Sequence, residues 1–114
     1  MAAAGRLLIA EIHGLAGRAD ELEQVLAELS EGAHREDGCL LFRTLRDDAP
    51  GEFVVLSSWR DEGALRAHYT GGPYQRYRAA VTELLARPSD VTVHHVEQSV
   101  HAIDPDPPEP ALFG

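Results

Sequence analysis

The side chains best equipped for chemistry in this sequence cluster between residues 55 and 78. His68 shares a helical face with Leu65 and Tyr69, so it points inward. An imidazole there either sits satisfied in a core or acts as a general base, since its ordinary pKa of about 6.5 lies near working pH. Trp59 is in phase with Phe53, Val55 and Ser57 along a strand. It either seals the core or forms one wall of a cavity, where a flat indole suits an aromatic ligand. Tyr74 and Tyr77 lie one helical turn apart. They either pack on the sheet or donate hydrogen bonds to a ligand oxygen. Arg78 is either a solvated helix residue or a guanidinium at the pocket mouth that orients an anion. His13, near the end of the first strand, is close enough to be expected at the same pocket.

Other chemistry is excluded by what the chain lacks. All ten basic residues are arginine, and there is neither lysine nor asparagine. Schiff-base chemistry and a lysine-bearing phosphate loop are therefore ruled out. The single cysteine, Cys39, rules out an intrachain disulfide and a multi-thiolate zinc site. It reads as a small buried residue at the head of a strand. His94 and His95 are neighbours on a strand and face opposite sides, so no metal site is expected from them. Acidic residues outnumber basic ones by 19 to 10, for a net charge of -9, which argues against nucleic acid and anionic membranes as partners. The longest apolar runs are far too short to span a bilayer, so a cytoplasmic location is expected.

These residues need elements to hold them. Leu7 to His13 reads as a strand ended by Gly14. From about Arg18 to His34, Leu22, Val25, Leu26 and Leu29 recur at helical spacing. Cys39 to Arg46 and Glu52 to Arg60 read as strands joined through the turn Asp47-Asp48-Ala49-Pro50-Gly51. Asp61 can cap the next helix, which Gly71-Gly72-Pro73 interrupts. Its continuation carries Tyr74, Tyr77, Val81, Leu84 and Leu85 up to Pro88, and a last strand runs from Val91 to about His101. The order βαββαβ predicts a ferredoxin-like α+β sandwich on an antiparallel sheet. Residues 1–103 form that domain, and 104–114 form a Pro-rich acidic tail whose Ala111-Leu112-Phe113 tip is apolar. Leu8, Ala10 and Ile12 oppose Leu7 and Ile9, and Phe53, Val55 and Trp59 oppose Val54 and Leu56. Helices cover only one face of such a sheet, so a homodimer through the other face is expected.

The segment Glu36-Asp37-Gly38-Cys39-Leu40-Leu41-Phe42 and the block from Phe53 to Trp59-Arg60-Asp61-Glu62 and His68 carry a resemblance, extended by Gly72-Pro73-Tyr74-Gln75-Arg76-Tyr77. This pattern resembles the antibiotic biosynthesis monooxygenase family of dimeric α+β barrels. The resemblance implies a homodimer and a cofactor-independent oxygenation of a small aromatic polyketide, hydroquinone or phenol. In that scheme His68, Trp59 and Tyr77 would be catalytic, and His13, Val55, Ser57, Leu65, Tyr74 and Arg78 would bind substrate. Two departures narrow it. Haem-degrading members use an asparagine, which this chain lacks, and Val55 and Ser57 stand where other members carry Asn and Glu. A non-catalytic ligand-binding or scaffold dimer, and a polyketide cyclase or isomerase, are the alternatives on the same fold.

Overall fold

A computed structural model describes residues 4–100. Strand β1 (Gly5–His13) leads through a 3-10 turn at Ala16–Arg18 into helix α1 (Ala19–His34). The hairpin β2 (Cys39–Arg46) and β3 (Glu52–Trp59) follows. Helices α2 (Glu62–Thr70) and α3 (Gly72–Val81) come next, and strand β4 (Asp90–Val96) closes the order. The strands lie in the order β2-β3-β1-β4, every neighbouring pair antiparallel. This is the ferredoxin-like α+β architecture expected from the sequence, with its second helix in two pieces.

Local chemistry explains where elements stop. The Asp61 carboxylate accepts from the Ala64 N–H at 2.8 Å and starts α2. Pro73, in the first turn of α3, has the fixed φ a helix start favours. Gly51 closes the β2–β3 turn with a φ of +84°, and a Cβ there would meet the Gly14 carbonyl oxygen at 2.5 Å. Gly38 also has a φ of +84°, and a Cβ there would lie 2.5 Å from that of Ala64. Glycine at 38 thus lets α2 settle against the chain entering β2.

Two boundaries differ from expectation. The second helical region ends at Val81 rather than continuing to Pro88. The backbone of 84–86 is instead held by the end of β1 and the turn after it: the Leu15 N–H donates to the Leu84 carbonyl and the Ala86 N–H to that of His13, both at 2.8 Å. Strand β4 ends at Val96, and residues 97–100 form no ladder. His101, the 104–114 tail and its apolar tip lie outside the described residues.

The sheet has two unlike faces. The inner face sends Leu8, Ile12, Phe42, Phe53, Val55 and Trp59 into the core, where α1 contributes Leu22, Leu26, Leu29 and Ala33. The outer face carries Leu7, Ile9, Val54 and Leu56, all half-buried, beside exposed Leu41 and Leu45. The helices do not cover the inner side of β4 either: Val91 and Val93 remain 49% and 43% exposed. None of the helices among the described residues is long and apolar enough to cross a membrane.

Candidate functional site

The site is assembled where the end of β3 meets α2. Val55, Ser57 and Trp59 alternate inward along β3, and the Trp59 indole N–H donates to the Ser57 hydroxyl at 3.2 Å. With α2 started by Asp61, its buried side brings in Ala64, Leu65 and His68. His68 lies against Trp59 with ring centroids 4.4 Å apart and planes at 30°. Its Nδ1 is 2.6 Å from the Glu36 carboxylate oxygen Oε1. Glu36 sits in the turn between α1 and β2, where its own N–H donates to the Ala33 carbonyl at 3.0 Å and its carbonyl accepts from Cys39. The rings of Phe42, Tyr69 and Tyr74 surround the imidazole at 6.0, 5.6 and 5.5 Å.

Beside this cluster is a hollow of about 100 Å³. Its apolar walls come from Leu8, Ala10, Ile12, Val55 and Phe42, and Val91 of β4 stands at its side. The polar groups reaching it are the Ser57 hydroxyl, the His68 imidazole and Tyr69, Tyr74 and Tyr77. Burial pushes the Tyr77 phenol up to about 12 and raises that of Tyr69, so both remain protonated donors at neutral pH. A broad, open hollow of about 440 Å³ shares Tyr74, Tyr77 and Ser89 with the inner one and adds Arg78 and Arg87. The two form an apolar recess with an arginine-bearing vestibule. Another hollow, about 270 Å³ between α1 and α3, is bordered by Glu28, Glu31, Arg35 and Arg76 and has no converging buried polar group.

Of the side chains singled out in the sequence, Val55, Ser57, His68, Tyr74 and Tyr77 line the inner hollow together. Four are placed elsewhere. Trp59 is fully buried behind His68 and is a support for the imidazole rather than a wall of the hollow. Leu65 is spent on the core. Arg78 lines the vestibule. His13 faces the outer side of the sheet, because it has the same parity as Leu7 and Ile9. There its Nδ1 and Nε2 lie 3.0 and 2.8 Å from the carboxylates of Glu52 and Asp90, with Arg87 Nη2 3.2 Å from Nδ1.

Two further residues, Glu36 and Tyr69, join the site: Tyr69 lies on the helical face that His68 shares, whereas no local spacing announces Glu36. The nearest signal for Glu36 is its place just before the Gly38 turn that α2 packs against. Cys39 is half-buried; its thiol is 3.8 Å from the Leu41 carbonyl, and burial pushes its pKa up. It is poorly suited to act as a nucleophile. Among the described residues, no group of three or more His, Cys, Asp or Glu is arranged to hold a metal ion.

Comparison with known proteins gives a consistent outcome. Residues 6–80 match the family model for antibiotic biosynthesis monooxygenase. A curated relative from Mycobacterium tuberculosis, "Putative monooxygenase Rv0793", is 36% identical over 72 residues, 63% of this chain and 71% of the relative. The solved structure of Rv0793 superimposes with a TM-score of 0.78 at 29% identity, covering 83% of this chain and 97% of that one. PA3566 from Pseudomonas aeruginosa gives 0.76 at 26% identity, covering 83% and 96%.

Proposed function

The chain belongs to the antibiotic biosynthesis monooxygenase family, and from that premise we propose that it oxygenates a single-ring hydroquinone or phenol with molecular oxygen. The observation that carries this reading is the apolar recess with one imidazole edge, one serine hydroxyl and neutral tyrosines on its walls. His68 takes a phenolic proton as general base. The resulting phenolate gives up electrons to oxygen far more readily than the neutral phenol. For a hydroquinone, one oxygen atom enters the ring to give a hydroxyquinone and the other leaves as water. Ring oxidation supplies the electrons, so the stoichiometry calls for no external reductant.

The recess favours a small substrate. A cavity of about 150 Å³ accommodates benzene, and the inner hollow is about 100 Å³. One ring enters with a modest shift of Tyr74 or Tyr77, and any anionic substituent extends toward Arg78 in the vestibule. Ser57 and Tyr77 donate to the substrate oxygens, Val55 contacts the ring, and Trp59 backs the imidazole. The test is oxygen consumption over a panel of hydroquinones and phenols of graded size. Turnover confined to single-ring substrates supports the reading, and no oxygen uptake with any of them ends it.

The full burial of Trp59 favours a second reading, a non-catalytic ligand-binding dimer. Saturable phenol binding by titration without oxygen uptake would select it. In both readings the apolar outer sheet face pairs with a second copy. Leu56→Glu, which places a charge in the middle of that face, should convert a dimer into monomer in sedimentation equilibrium; a wild-type monomer would remove the pairing.

A further inference from the structure

We propose that Glu36 is the positioning residue that makes His68 a base, by fixing which ring nitrogen carries the proton. This deepens the oxygenase reading and rests on it for its catalytic half.

An ionised carboxylate only accepts hydrogen bonds. With Glu36 Oε1 2.6 Å from Nδ1, neutral His68 must carry its proton on Nδ1 and keep the Nε2 lone pair free. A free imidazole prefers the opposite tautomer, so the carboxylate reverses the default. Nε2 has no hydrogen-bond partner among the described residues, while the ring itself lines the hollow. Rotation of the ring is blocked by the stack on Trp59 at 4.4 Å and by Tyr74 at 5.5 Å. When Nε2 takes the substrate proton, the imidazolium is already paired with Glu36, whose side chain is only 19% exposed. Glu36 is itself fixed, since its N–H and carbonyl are both tied within the turn. The carboxylate therefore aims the base without touching the substrate.

The experiment uses the full chain. Long-range proton–nitrogen NMR correlation reads the His68 imidazole directly at pH 8, with His68→Gln assigning the signals. Wild type should show the Nδ1–H form, and Glu36→Ala should shift to Nε2–H. An Nε2–H wild type, or a pattern unchanged in Glu36→Ala, overturns the proposal.

In the kinetic arm, Glu36→Ala should lower kcat by roughly 10²- to 10⁴-fold with KM nearly unchanged. Formate, a carboxylate small enough for the vacated space, should restore part of it. Glu36→Gln keeps the shape and removes the charge. It should unfold at close to the wild-type temperature and, because its amide oxygen can still accept from Nδ1–H, retain more kcat than Glu36→Ala. Wild-type kcat in Glu36→Ala overturns the proposal. If wild type itself consumes no oxygen, the oxygenase reading falls, and the tautomer measurement still decides whether Glu36 sets the ring.

Discussion

Two histidines on opposite faces of one sheet have nearly the same burial and different hydrogen-bond arrangements. The side chains of His13 and His68 are 11% and 5% exposed, and each touches carboxylate. His13 uses both nitrogens, one on Glu52 of β3 and one on Asp90 of β4, so it clasps three strands and has nothing left for a ligand. His68 uses one nitrogen on Glu36 and turns its ring to a hollow. Burial and a nearby acid are therefore common to both rings, and what separates them is the count of ring nitrogens left without a partner.

The sharpest way to break this contrast is to remove each ring in turn. His68→Gln should reduce oxygen uptake with a hydroquinone by roughly 10²- to 10⁴-fold, whereas His13→Gln should stay within about twofold. Equal losses would erase the distinction. Next in size is the support behind His68. Trp59 is completely buried, and Trp59→Ala should cost about 3–5 kcal/mol in urea denaturation.

The clasp on the other face has its own signature. Hydrogen bonding to Asp90, then to Glu52, raises the His13 pKa above its ordinary value. A raised folded-state pKa gives stabilisation that is full below the unfolded value of about 6.5 and is lost as pH rises through the folded value. The Tm advantage of wild type over His13→Gln should therefore be greatest near pH 5 and shrink toward pH 9. An advantage independent of pH would mean the imidazole acts only by packing. Smallest of all, Tyr77→Phe removes one hydroxyl from the recess and should change kcat by less than about fivefold, with under about 1.5 kcal/mol in stability.

Much of this was legible from spacing alone. Leucines at helical intervals placed α1, the Asp-Asp-Ala-Pro-Gly turn placed the hairpin, and Asp61 marked the start of α2. The inward aim of His68 followed from sharing a face with Leu65. The outer position of His13 was also available, since residues 7, 9 and 13 have one parity on a strand. Glu36 was not, because its partner is 32 residues away and it sits in a turn with no periodicity to orient it. The end of α3 was hidden for a related reason: its last predicted turn gives its backbone groups to β1 and the turn after it, a tertiary competition that local propensity does not register. Trp59 could be placed on the inner face but not in depth, as only the packed rings show that the imidazole stands in front of it.

Strand β4 is a sheet edge that no helix shields, with Val91 and Val93 bare on its inner side. Its consecutive residues Asp90 and Val91 serve both histidine sites, one latching His13 and the other bounding the recess by His68. β4 is thus held on the outer face by the Asp90–His13 catch while its inner face bounds the recess. Amides of β4 should exchange with deuterium faster than those of central β1 and β3, and faster still once the catch is cut by Asp90→Ala.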